Sequence, residues 1–163
     1  MSGKYATQTS VPVMRTREAI EELVSKYGAA QYMSAYDQSR GFIGFTMKGR
    51  QVRFMVPLPE PTDKAFTHYR DRYGREKARV IESAKKEWEQ ACRSRWRALL
   101  LVIKAKLEAV EVGISTFDSE FMANIVMPDG SLIGDLVQPR IADAYSTGEM
   151  PDLLPDYSQG KPK

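Results

Sequence analysis

Cysteine and histidine are almost missing from this 163-residue chain: Cys92 is its one thiol and His68 its one imidazole. A single thiol cannot close an intramolecular disulfide or supply a thiolate metal cage, and it points to a reducing compartment. A single imidazole excludes a histidine metal cluster and any acid–base scheme that needs two histidines. No Gly-x-Ser-x-Gly elbow is present to support a serine nucleophile. Gly41, Gly44 and Gly49 fall in a β-rich stretch and not between a strand and a helix, where a phosphate loop requires them. The carboxylates open to a divalent cation, Asp37, Asp63, Asp118, Glu120, Asp129 and Asp135, form no paired spacing with a following lysine. The residues give no recognisable catalytic centre, and neither a metal nor a cofactor is expected.

Long apolar runs are missing too. The greasiest stretch, Ala98 to Ile103, is followed by Lys104 and Lys106 and falls far short of the ~20 apolar residues that span a bilayer. No membrane partner is expected. Met1 to Ser10 shows neither an apolar h-region nor an Arg-rich amphipathic pattern, so a targeting peptide is not expected and the cytoplasm is the expected location.

What is present is the composition of an ordinary folded domain, 42% hydrophobic and 28% charged, with enough chain to bury a core without staples. Residues 1–150 are expected to form one domain and 151–163 a proline-rich irregular tail. The formal net charge is only +3, yet it is unevenly spread. Residues 64–106 hold 13 Lys and Arg against 5 Asp and Glu, the rest of the chain 11 against 16. A polyanionic partner is thereby permitted.

Periodicity orders the elements. Tyr5 to Val13, rich in Thr, Ser and Val, reads as a strand with Pro12 at an edge position. Thr16 can cap a helix whose Ile20, Leu23, Val24 and Tyr27 share one face and which Gly28 ends. Gln31–Tyr36, Phe42–Met47 and Gln51–Val56 form a three-stranded meander, with Val52, Phe54 and Val56 on its buried face. Pro57, Pro59 and Pro61 stop the sheet, and residues 64–73 are expected to form a basic, aromatic loop around Phe66 and His68. From Arg75 to Val112 runs a helical pattern free of proline and glycine; unbroken, it would be roughly 57 Å long at ~1.5 Å per residue, so it must project, pair, or break before Trp88. Thr116 or Ser115 can then cap a short helix with Phe117, Phe121 and Ile125 on one face. Residues 128–131 read as a turn, and Leu132–Tyr145 as a helix interrupted near Pro139 and ended by Gly148. The expected class is α+β: an N-terminal β-α-β-β-β antiparallel sheet, one long amphipathic helix and short C-terminal helices.

Two features bear on function. Arg75, Arg79, Lys86, Arg93, Arg97 and Lys104 are spaced by 4, 7, 7, 4 and 7 residues, which on one helix confines them to a sector of about 40°. Together with Lys64, Arg70 and Arg72, and with Trp96, Tyr69 or Tyr73 as stacking partners, they would track a nucleic-acid backbone, DNA or RNA. The alternative is that these side chains shield an apolar edge and pair with Glu82, Glu89 or Glu108. The second feature is the apolar band of Ile81, Trp88, Cys92, Trp96, Leu99, Leu100, Ile103, Leu107 and Val110. It is either core or, through Trp88, Trp96, Leu99 and Ile103, a homo-oligomer or partner interface.

The segments Lys4-Tyr5-Ala6-Thr7, Val52-Arg53-Phe54 with Pro57-Leu58-Pro59, Arg95-Trp96-Arg97-Ala98-Leu99, Lys104-Ala105-Lys106-Leu107-Glu108 and Pro128-Asp129-Gly130 carry a resemblance. The chain resembles, over most of its length, a family of short proteins encoded in bacteriophages and prophages that has no settled activity. The resemblance implies a bacterial host cytoplasm and a phage-related role. Two functions follow as expectations: a non-catalytic nucleic-acid-binding accessory protein, or a protein-interaction module that inhibits a host defence complex or self-assembles.

Overall fold

The first helix starts where a proline permits it. In the computed structural model, which describes residues 9–37 and 39–154, α1 (Val13–Lys26) opens directly after Pro12. Proline has no N–H to give a sheet ladder, and at a helix start that donor is not needed. Of the strand expected over 5–13, residues 5–8 lie outside the described residues, 9–12 belong to no strand and Val13 is helical. Thr16 is accordingly no cap; it is buried within α1 beside the core positions Ile20 and Val24. Gly28, just past the end, takes a φ of +94° that favours glycine.

The meander forms as the alternation predicts. β1 (Gln31–Tyr36), β2 (Arg40–Met47) and β3 (Arg50–Pro57) pair antiparallel in that order. Val52, Phe54 and Val56 of β3 point inward with Ile43, Phe45 and Met47 of β2, and the register sets Phe45 against Val52 and Ile43 against Phe54. The β2–β3 connection is the pair Lys48-Gly49, both at positive φ (49° and 72°), the pattern of a two-residue type I′ hairpin.

Residues 64–79 overturn the expected loop. They fold as a helical turn, α2 (Lys64–Thr67), and a hairpin of β4 (His68–Arg70) with β5 (Glu76–Ala78). The long helix α3 (Ile81–Glu111) therefore begins at Ile81, not Arg75, and it runs without a break. At ~1.5 Å per residue it is about 46 Å long. Trp96, Leu99, Leu100, Ile103 and Leu107 are buried against α1 and the inner sheet face, whereas Ile81, expected in the same band, is 86% exposed.

The C-terminal part closes the remaining side of the core. Of the two candidate caps, Ser115 and Thr116, it is Thr116 that starts α4 (Phe117–Phe121), its Oγ1 accepting the Ser119 N–H at 3.2 Å. Phe121 stacks on Phe117 at 4.7 Å and meets Phe45 and Phe54 edge-on at 6.0 and 6.2 Å. After a 3₁₀ turn (Met122–Asn124), Val126 donates to the Gln51 carbonyl at 2.8 Å and extends the β3 edge. Residues 128–131 turn as expected, with Asp129 accepting from Ser131. α5 (Ile133–Thr147) carries Pro139 inside it without interruption and ends at Gly148. The carbonyl that Pro139 leaves without its helical donor belongs to Asp135, an exposed residue that water can reach. No helix among the described residues is long and apolar enough to cross a membrane.

Candidate nucleic-acid interface

The β4–β5 hairpin is built around one carboxylate. The Asp71 N–H donates to the Arg75 carbonyl at 2.9 Å and the Gly74 N–H to the Asp71 carbonyl at 2.9 Å, and Gly74 takes a φ of +78°. These contacts make a turn whose left-handed position needs glycine. Asp71 Oδ1 accepts the N–H groups of Tyr73 and Arg75 at 2.9 and 3.0 Å, while Oδ2 accepts Arg75 Nε at 3.0 Å and lies 3.5 Å from Lys77 Nζ. Burial alone would raise its pKa; the N–H donors of Arg75 and Tyr73, with the Arg75 and Lys77 side chains, outweigh it and hold the carboxyl below its ordinary value.

Around this anchor the chain displays cations and aromatic rings together. The Arg72 and Arg75 guanidinium carbons lie 4.7 and 5.2 Å from the Tyr73 ring centre, and Arg79 lies 5.4 Å from that of Tyr69. Tyr73 is 65% exposed, and every residue from Arg72 to Ala78 is exposed. The Arg79 N–H donates to the Thr67 carbonyl at 2.7 Å and ties the end of the hairpin to α2. Lys64 reaches across to Glu76 at 3.6 Å. The hairpin thus gathers Lys64, Tyr69, Arg70, Arg72, Tyr73, Arg75 and Arg79, and adds Lys77, which sequence reasoning missed.

The six-residue helical stripe does not exist as such. Arg75 and Arg79 leave it for the hairpin, because α3 starts after them. Lys86, Arg93, Arg97 and Lys104 remain on α3, with Lys86 and Lys104 exposed. Arg93 is drawn inward: its Nη2 donates to Gln90 Oε1 at 2.7 Å and its Nη1 lies 4.0 Å from Glu89.

The proposed interface residues separate in the same way. Trp96 and Ile103 are fully buried and Leu99 nearly so, all inside the chain's own core; in this conformation they cannot meet a second chain. Trp88 is half-buried, and its Nε1 donates to the Pro59 carbonyl at 2.7 Å. It forms one wall of a groove of about 500 Å³ that Arg17, Tyr36, Cys92, Arg93 and Trp96 also line. Arg17 and Tyr36 carry no motif that would have placed them in a site, since only the docking of α1 on β1 brings them together. Burial, and secondarily Glu89, raise the Cys92 pKa, so its thiol stays protonated near neutral pH.

The carboxylates lie apart. Asp37 organises the turn before β2, Asp118 pairs with Arg50 at 3.3 Å and Glu120 with Lys106 at 3.7 Å. Among the described residues no group of three or more His, Cys, Asp or Glu is placed to hold a metal ion. No protein-family model matches the chain, and comparison with curated proteins and with solved structures gives no match.

Proposed function

We propose that this chain is a non-catalytic nucleic-acid-binding protein whose contact element is the basic hairpin of residues 64–79, with the exposed lysines of α3 as secondary phosphate contacts. The observation that carries the reading is the pairing of Arg72, Arg75 and Arg79 with the Tyr73 and Tyr69 rings on an exposed two-stranded arm. Guanidinium groups serve phosphates, and tyrosine faces serve unstacked bases. The test is a binding series in rising salt with single- and double-stranded DNA and RNA. Arg72→Glu with Arg75→Glu is expected to weaken binding by more than about tenfold and to flatten the log–log salt dependence by about 2, one per lost phosphate contact. Unchanged affinity in a folded variant would remove the hairpin from the function.

A second reading rests on the outer sheet face. Met33 and Met55 are exposed there on either side of the half-buried Phe42, and such a patch suits a protein partner or self-association. Sedimentation of the purified chain with and without Met33→Asp and Met55→Asp tests the self-associating form. A monomer in both cases counts against it.

A further inference from the structure

The groove beside Trp88 is separate from the hairpin and has its own chemistry. Two aromatic side chains offer it surface, Tyr36 and Trp88, with the fully buried Trp96 behind them. Tyr36 is 61% exposed, and the Trp88 indole is fixed by its bond to the Pro59 carbonyl. An aromatic wall with a restrained ring loses little freedom when a flat ligand stacks on it.

Arg17 supplies the charge. Its Nη2 donates to Ser34 Oγ at 2.6 Å and to the Ser34 carbonyl at 3.1 Å, and its Nε to Ser34 Oγ at 3.1 Å. The guanidinium carbon lies 5.0 Å from the Tyr36 ring centre and 5.9 Å from that of Trp96. These contacts hold the guanidinium still without neutralising it: among the described residues no carboxylate lies within ion-pair distance of Arg17. Its Nη1 lies 3.9 Å from the Met14 thioether, a weak acceptor that carries no charge. The two carboxylates that line the groove are already engaged, Asp37 by the Ser39 and Arg40 N–H groups and Glu89 by Arg93. A fixed, half-buried and unneutralised guanidinium beside aromatic walls is complementary to an anion carried on a planar ring.

We infer that this groove binds a nucleoside monophosphate, its base against the Tyr36 and Trp88 rings and its phosphate on Arg17. The same chemistry is offered by a free nucleotide and by one unit of a single strand. The volume of about 500 Å³ is in the range of small-ligand sites.

The experiment follows the Met14 methyl resonance, a groove-lining reporter, as the intact chain is titrated with adenosine monophosphate, adenosine, inorganic phosphate and a single-stranded oligoadenylate. Adenosine monophosphate is expected to give a saturable shift. Adenosine and phosphate should each bind about tenfold or more weakly, and Trp88→Leu should weaken the nucleotide by about tenfold, the scale of one lost stacking contact. Arg17→Gln, which keeps a donor for Ser34, is expected to lower nucleotide affinity toward that of adenosine and serves if Trp88→Leu does not fold. A Met14 shift with oligoadenylate as well assigns the groove to strands; a shift with the mononucleotide alone assigns it to free nucleotide. Silence of Met14 toward both, or equal binding of adenosine and adenosine monophosphate, overturns the inference. The Arg72→Glu, Arg75→Glu protein separates the two sites: it should lose strand affinity and keep the mononucleotide shift. If it keeps both, the hairpin reading fails while the groove stands.

Discussion

Trp96 lies against the backbone of Gly41: a Cβ built on Gly41 would fall 2.9 Å from the indole Cη2 and closer still to Cζ2. The indole is fully buried and belongs to the same core cluster as Ile20, Val24 and Ile103, so an added methyl must displace either the ring or the strand. Gly41→Ala is therefore an overpacking change, expected to cost about 1–3 kcal/mol. Chemical denaturation reads the loss, and the slope of the transition should stay unchanged. Pairing it with Trp96→Phe, which shortens the ring, should cost less than the two single changes added; strict additivity would mean that the two residues do not share the site.

Asp71 gives the hairpin a pH dependence of known sign. Its folded-state pKa lies below the ordinary carboxylate value of 3.8, so the order it confers is full above that value. That order is lost as pH falls through the lower, folded-state value. The Tyr73 ring signals in an NMR titration should then move toward unfolded-chain positions in strong acid, with Arg75 and Lys77 as the groups that face the titrating oxygen. Asp71→Asn should loosen the hairpin already at neutral pH and abolish that acid transition. Identical Tyr73 titrations in both proteins would take the carboxylate out of the turn.

The elements that local pattern can specify were legible in the chain. β3 alternates Val52, Phe54 and Val56 with polar or exposed positions, and Thr116 stands where a cap belongs; both signals sit within a few residues. The hairpin carries no such pattern. β4 and β5 are three residues each and almost wholly exposed, so no buried face imprints an alternation on them. What orders them is the Asp71 side chain bonding to its own turn, which sequence periodicity does not report. The groove was illegible for a different reason. Arg17, Tyr36 and Trp88 belong to α1, β1 and α3, and their meeting is a consequence of packing.

Phe121 is the keystone of the C-terminal part. It touches Phe117 within its own helix and reaches Phe45 and Phe54 on two different strands. Phe121→Ala would leave a cavity that these three rings cannot close, and is expected to cost about 3–5 kcal/mol. Hydrogen exchange should show the loss concentrated in the Val126 amide, which bonds to Gln51 only because the segment after α4 is held against β3. Uniform destabilisation with Val126 still protected would contradict that coupling.

Lys48 offers a stabilising change. It is the one non-glycine residue among those described with a positive φ, at 49°, and it does so because the two-residue β2–β3 turn needs that sign at both central positions. A Cβ disfavours this region, whereas asparagine tolerates it through its short polar side chain. Lys48 is exposed and no core contact is at stake. Lys48→Asn gives the Asn-Gly pair that such turns prefer and should raise stability by up to about 1 kcal/mol. Gly49→Ala, at a φ of 72°, should lower it by a comparable amount even though nothing lies within 4 Å of the added Cβ. Both changes read out as shifts of the denaturation midpoint. The opposite signs are the test, since a loss in both would mean that the turn is governed by something other than its backbone conformation.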